Sequence, residues 1–266
     1  MKYIALLAGL ASLAAALPSP QAAHQQLKRV HRRHLSHGGR ASSFNHKDDR
    51  VTAAGLGMLK TTKHTSYSDN WAGAVQTDSG FTKVVGTITV PKVSSGGDAH
   101  AAAAAWVGID GDSCDRAILQ TGIDFYADGS FDAWYEWIPD GSFAFSDFGM
   151  SVGDKIRMMV EARSSTSGVA TLENLSTGAK ASHDFTNPPS KLCEENAEWI
   201  VEDFVTDGKL VPFADFGSIT FTDARAEGSS GTVTPAGAEI YDIVADDKVV
   251  TDCSTNGDDL TCDYTG

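Results

Sequence analysis

Histidine is nearly missing from most of this 266-residue chain: after residue 64 only His100 and His183 remain. A Ser–His–Asp triad needs a histidine base. Neither histidine sits in a recognisable motif and no G-x-S-x-G elbow occurs, so serine-nucleophile chemistry is disfavoured. The four cysteines form no C-x-x-C, and there is no H-E-x-x-H, so zinc has no ligand spacing to rest on. Asp110-Gly111-Asp112-Ser113-Cys114-Asp115 starts like a calcium loop but lacks the later Gly and Glu; a turn rich in Asp is the simpler reading. No metal and no cofactor is expected. Cations are scarce as well. Residues 65–266 hold 11 Lys and Arg against 33 Asp and Glu, a net −22, whereas the whole chain carries −14. Such a body repels phosphate, which excludes nucleic acid as a partner. Past the N-terminus no apolar run approaches the ~20 residues that span a bilayer, so no membrane partner is expected. No sustained helical period appears.

The missing cations are found at the start. Lys2, the apolar run Ile4 to Ala16 and the small residues Ala14-Ala15-Ala16 read as a secretory signal over 1–16, which predicts a secreted, extracellular product. Residues 17–64 form a basic, structure-poor leader with Lys28-Arg29, Arg32-Arg33, Arg40, Lys47, Arg50, Lys60 and Lys63, opposed only by Asp48 and Asp49. A basic segment joined to an acidic body suggests that the two meet. The leader is therefore expected to act as a propeptide and intramolecular inhibitor, with the mature N-terminus between Thr61 and Ser68.

Residues 65–266 read as one all-β domain. Alternating runs recur at Thr82–Val90, Lys155–Ala162, Val169–Asn174, Ser218–Thr222, Ile240–Val244 and Lys248–Thr251. Turn signals separate them, among them Asp128-Gly129, Asp140-Gly141, Gly153-Asp154 and Thr177-Gly178. Many short strands at this spacing suggest a sandwich or barrel. Asn187-Pro188-Pro189-Ser190 reads as loop, and so does Val93 to Asp98. Four cysteines in a secreted chain allow three pairings. Cys253 and Cys262 flank a hairpin turn and are expected to pair. Cys114 and Cys193 then close a long loop, a bridge worth about 4–5 kcal/mol in the chain-entropy model. Asn174-Leu175-Ser176 is a glycosylation acceptor sequence, which makes Asn174 a glycosylation candidate in an exposed turn.

Alternate strand residues share a face. Glu198, Ile200 and Glu202 therefore share one face, with Trp199 and Val201 on the other. Asp132, Trp134 and Glu136 share one, opposite Phe131, Ala133, Tyr135 and Trp137. Trp106 and Asp110 have the same parity. Carboxylates recurring beside tryptophans point to a concave site that binds a polymer.

Trp106-Val107-Gly108-Ile109-Asp110-Gly111-Asp112, Ala117-Ile118-Leu119-Gln120-Thr121-Gly122, Asp132-Ala133-Trp134-Tyr135-Glu136-Trp137 and Glu198-Trp199-Ile200-Val201-Glu202-Asp203-Phe204 together resemble the glutamic peptidases, or eqolisins. The likeness starts near Ser68-Asp69-Asn70-Trp71-Ala72-Gly73-Ala74 and runs to the C-terminal cysteine pair. It implies a concanavalin-like β-sandwich of two bent antiparallel sheets, with the active site on the concave face. It also implies a pepstatin-insensitive acid endopeptidase acting as a monomer on protein or peptide substrates. Glu202 is expected to take a proton from the attacking water and return it to the leaving nitrogen. Gln120 is expected to bind that water and stabilise the oxyanion. The pair suits acid, because a free Glu titrates near ~4.3 and Gln does not titrate. Asp110, Asp132 and Glu136 are expected as supporting partners, and Trp106, Trp134 and Trp71 as walls of the cleft.

Two other readings fit the same residue types. A concanavalin-like glycoside hydrolase would use Glu136 and Glu202 as acid and nucleophile, about 5–5.5 Å apart in a retaining enzyme. A lectin-like module would offer Trp106 and Trp134 as sugar platforms. A hydrolase of the first kind needs Glu136 and Glu202 facing each other, a lectin needs neither, and a peptidase needs Gln120 opposite Glu202.

Overall fold

The structure, a computed structural model, describes residues 65–94, 98–206 and 208–266. The expected signal and leader lie outside these, as does the middle of the Val93–Asp98 loop. The described residues form nineteen strands and no helix. In chain order they are β1 (Thr65–Ser68), β2 (Trp71–Thr77), β3 (Lys83–Thr89), β4 (Ala102–Ile109), β5 (Ile118–Tyr126), β6 (Phe131–Ile138) and β7 (Phe143–Ala144). There follow β8 (Lys155–Ser164), β9 (Ser167–Asn174), β10 (Lys180–Thr186), β11 (Asn196–Glu202), β12 (Val205–Thr206) and β13 (Lys209–Leu210). The last are β14 (Ser218–Gly228), β15 (Gly231–Val233), β16 (Glu239–Ala245), β17 (Lys248–Val249), β18 (Thr251–Asn256) and β19 (Asp259–Tyr264).

Two large sheets make a sandwich. The first runs β1-β16-β2-β11-β4-β5-β6-β7, with β17 on β16; the second runs β10-β9-β8-β3-β14-β19-β18, with β15 on β14. The named ladders are antiparallel except β1 with β16. Composition explains which strands sit centrally. β8 alternates, with Ile156, Met158, Val160 and Ala162 buried and the residues between them more open. The central strands β4 and β11 are instead buried on both faces. In β4, Ala103, Ala105, Val107 and Ile109 join the core between the sheets, while Ala102, Ala104 and Trp106 join a second cluster on the outer face of the first sheet. Burying each large apolar side chain is worth about 1.5–3 kcal/mol. Trp199 locks the layers: its Nε1 donates to Val85 O on β3 at 2.8 Å.

Both disulfides follow the expected pairing, Cys114–Cys193 and Cys253–Cys262. The first ties the turn before β5 to the segment before β11.

One expectation needs correction. The Lys248–Thr251 run is not one strand. Asp246 and Asp247 adopt positive φ, at 48° and 60°, and turn β17 back onto β16, while Thr251 begins β18 and pairs with β19. Asn174 does not face solvent. It is fully buried, and its Nδ2 donates to Asp154 Oδ2 at 2.9 Å and Gly149 O at 3.2 Å. Its Oδ1 accepts from the backbone N–H groups of Ser176 and Thr177 at 3.0 and 3.1 Å. The turn after it is open, as expected, and the asparagine closes that turn from inside.

Candidate active site

Strand register collects the predicted residues on the outer face of the first sheet. Three rows cross β2, β11, β4, β5 and β6. One holds Trp71, Glu202, Ala104, Asp124 and Asp132; the next Gly73, Ile200, Trp106, Gly122 and Trp134; the third Val75, Glu198, Gly108, Gln120 and Glu136. Glu202 and Gln120 thus share a face, with β4 between their strands and Trp106 in the row between theirs.

Glu202 is held by donors. Trp106 Nε1 donates to its Oε2 at 2.8 Å, and Asn70 Nδ2 to its Oε1 at 3.4 Å. Ser68 Oγ donates to Asn70 Oδ1 at 3.3 Å, which turns the amide nitrogen toward Glu202. Gln120 Nε2 donates to Glu136 Oε2 at 2.7 Å, while its own Oε1 is buried and accepts nothing. Glu136 thereby fixes the rotation of the Gln120 amide and leaves the carbonyl oxygen and the second N–H for other partners. Gly122 lets β4 pass close to β5: a Cβ there would lie 2.4 Å from Ala105 O and 2.5 Å from Trp106 Cβ.

The tryptophans are not stacking platforms. Trp71, Trp106 and Trp134 are at most 1% exposed. Trp71 packs edge-on against Trp106 with centroids 5.0 Å apart, and Trp134 Nε1 donates to Asp124 Oδ1 at 3.0 Å. All three wall the face, and Trp106 and Trp134 aim their N–H groups at carboxylates. That removes the basis for a lectin reading. A retaining pair from Glu136 and Glu202 is not built either, because Glu136 lies three strands from Glu202 and is engaged with Gln120.

Residues 69–264 match the Peptidase A4 family. The chain belongs to the Peptidase A4 family, the glutamic peptidases. It is 44% identical to Aspergillopepsin-2 of Aspergillus niger over 290 aligned positions, covering 99% of this chain and 100% of that protein. It is 46% identical to Scytalidopepsin B of Scytalidium lignicola, covering 76% and 80% of the two chains. A crystal structure of scytalido-glutamic peptidase with a transition state analog inhibitor superposes with a TM-score of 0.71 at 46% identity, over 74% of this chain and 98% of that one. This glutamic peptidase is therefore a hydrolase of protein or peptide substrates.

One further expectation resolves differently within this peptidase. Asp110 does not share the Trp106 face. β4 ends at Ile109, and Asp110 has φ 70°, so strand alternation stops before it. Its carboxylate instead accepts the backbone N–H groups of Cys193, Glu194, Glu195 and Asn196 at 2.7–3.3 Å. It anchors the segment that leads into β11. Asp110 also lies beside Cys114 and Cys193, but both sulfurs are in the disulfide and offer no thiolate to a metal. Asp132 accepts from Tyr126 Oη at 3.1 Å and so supports the edge of the face.

The sequence assigns no role to four residues here, of which Glu198 has the parity of Glu202. Asn70 lay in a quoted motif, and Asp124 has the parity of Gln120. Asp203 is nearly buried, and its Oδ1 has no hydrogen-bond partner. Burial and then the charge of Glu202 push Asp203 up to about 8, so of these adjacent carboxyls Asp203 keeps the proton. Glu198 is fully buried, and burial followed by the charges of Asp110 and Asp112 drives its carboxyl well above the usual range.

Proposed function

We propose that the protein is a secreted acid endopeptidase that cleaves peptide bonds by a Glu202-activated water with Gln120 as oxyanion donor, insensitive to pepstatin and acting as a monomer. Residues 1–16 are its signal, 17–64 its propeptide and 65–266 its catalytic domain. One observation carries the reading. Glu202 receives hydrogen bonds from the Trp106 N–H and the Asn70 amide, while its neighbour Asp203 is the group that holds a proton. Two donors aimed at its two oxygens are the setting a carboxylate needs to act as general base.

The steps balance as a simple hydrolysis. Glu202 takes a proton from water as its oxygen bonds to the scissile carbonyl carbon. Charge on the former carbonyl oxygen is met by the Gln120 side-chain N–H, already oriented by Glu136. Glu202 then gives the proton to the leaving nitrogen, and the C–N bond breaks. No covalent enzyme intermediate and no cofactor is required. The structures of scytalido-glutamic peptidase with a peptide based transition state analog and of SCP-B, of the eqolisin family, with the tripeptide Ala-Ile-His support a peptide as the ligand.

Purified mature protein should digest a denatured protein at about pH 2–4, with pepstatin present or absent, and release no reducing sugar from polysaccharides. Sugar release without peptide cleavage would reverse the assignment.

The leader closes the site by charge. At near-neutral pH its Lys and Arg face a body of net −22. Near pH 3 most exposed carboxylates are protonated, given ordinary values of about 3.9 and 4.3, and the attraction fades. Each exposed ion pair contributes only about 0–1 kcal/mol, so many act together and salt weakens them. Added leader peptide is therefore expected to inhibit mature enzyme better at pH 6 than at pH 3, and less well in 1 M salt. Equal inhibition at both pH values would show that charge does not hold it.

A further inference from the structure

Glu198 takes no part in the steps above, yet it stands on the same face as both residues that do. It is fully buried, and neither of its carboxyl oxygens has a hydrogen-bond partner. A buried carboxylate without donors is costly enough that such a group takes up a proton instead. The groups around it reinforce this. Asp110 at the end of β4 and Asp112 in the following turn both act on it. Along its own row Glu239 lies beyond Val75, and Gln120 and Glu136 lie beyond Gly108. In the next row Tyr241 stands opposite Gly73. That row and these neighbours contain no Lys, Arg or His to balance a charge at 198.

Its packing links it to the proposed base. β11 pairs with β4 so that Glu198 is opposite Gly108 and Ile200 is opposite Trp106. A Cβ on Gly108 would meet Trp106 Cζ3 at 2.9 Å and Glu198 Oε2 at 3.3 Å. The missing side chain at 108 thus leaves a space that the indole and the carboxyl fill together. Across the ring from this space, Trp106 Nε1 donates to Glu202 Oε2 at 2.8 Å.

We infer that Glu198 is a positioning residue for the reaction: its carboxyl, packed with the Trp106 ring over Gly108, holds the indole that donates to Glu202. The inference rests on Glu202 being the general base. Ionisation of Glu198 places an unbalanced charge against that ring. The carboxyl then moves toward solvent, the ring loses its support and the Trp106 N–H leaves Glu202. Activity is therefore lost at the upper end of the pH range through Glu198, separately from any titration of Glu202.

The test measures kcat and KM against pH for wild type, Glu198→Ala and Glu198→Gln, each expressed as the full chain and matured. Near-UV circular dichroism of the tryptophans is followed over the same pH range. Glu198→Ala should lower kcat about tenfold or more with KM little changed. The conservative, neutral Glu198→Gln should restore most of that loss at acid pH and carry activity about one pH unit higher than wild type. The tryptophan signal of wild type should change with pH in step with the upper limb of kcat, and that change should be absent in Glu198→Gln. If Glu198→Ala does not fold, the Glu198→Gln profile alone decides. An upper limb in Glu198→Gln that coincides with wild type overturns the inference, as does an unchanged tryptophan transition. The tryptophan measurement is repeated in a Glu202→Gln background. If Glu202 is not the base, that variant stays active whatever residue occupies 198, which distinguishes failure of the reading of Glu202 from failure of the role of Glu198.

Discussion

Replacing Glu202 by Gln is expected to lower kcat by about a thousandfold or more, since a positioned general base contributes about 10²–10⁴. The substitution is nearly isosteric. The amide keeps an oxygen for the Trp106 N–H at 2.8 Å and gives up only the longer 3.4 Å contact from Asn70, so the loss should fall on kcat with the fold intact. Gln120→Ala removes the oxyanion donor and should cost about 10²–10³ in kcat. Glu136→Gln should be milder, because it leaves Gln120 in place but frees its amide to rotate away from the orientation set by the 2.7 Å contact. Steady-state kinetics at one acid pH, with near-UV circular dichroism as a check of folding, separates the three. Near wild-type kcat in Gln120→Ala would remove that residue from the chemistry.

The domain should lose stability as pH rises. Burial raises the carboxyl of Asp242 to about 7, outweighing the Thr251 and Cys253 hydrogen bonds that oppose it. Asp203 is raised to about 8 by burial and by Glu202, and Glu198 is raised by burial. A carboxyl raised in the folded state binds a proton more tightly there than in the unfolded chain. Its stabilisation is complete below its unfolded value and is lost as pH climbs toward the folded value. For Asp242 and Asp203 that window opens near the ordinary 3.8 and closes near about 7 and about 8. With three such groups, Tm is expected to fall by about 10 °C or more between pH 4 and pH 7.5, at about 2–4 °C per kcal/mol for a domain of this size. Asp242→Asn should flatten part of that slope, because an amide oxygen still accepts from Thr251 Oγ1 and Cys253 N. Thermal melts from pH 3 to 8 give the answer, and a Tm that rises toward neutral pH would refute it.

Much of this face was legible because strand alternation has a period of two. Glu198, Ile200 and Glu202 on one side, and Asp132, Trp134 and Glu136 on another, could be assigned to faces without coordinates. Alternation does not tell which strands are neighbours. β11 lies between β2 and β4, partners far apart in the chain, and no local pattern encodes that. Asp110 shows where parity fails: its positive φ turns it out of the strand, and its carboxylate goes to backbone N–H groups. Asp124 sits in Ile123-Asp124-Phe125, where a lone acid between apolar residues was a usable signal once Gln120 was chosen. Asp242, inside the apolar run Ile240 to Val244, carried the same signal. Asp203 carried none, since its burial depends on β12 and β13 folding back after Phe204, where Val211 N donates to Phe204 O at 3.1 Å. Asn174 matched an acceptor sequence, yet its side chain serves the turn from within.

The measurement closest to the central claim is the pH dependence of kcat/KM for wild type and Glu202→Gln on one peptide substrate. A general base must be ionised, so the acid limb reports its protonation in the free enzyme. The proposed chemistry predicts that wild-type kcat/KM falls on the acid side as a single carboxylate gains its proton, and that the small residual activity of Glu202→Gln shows no such limb. The same acid limb in both proteins, or full activity in the variant, would contradict Glu202 as the base.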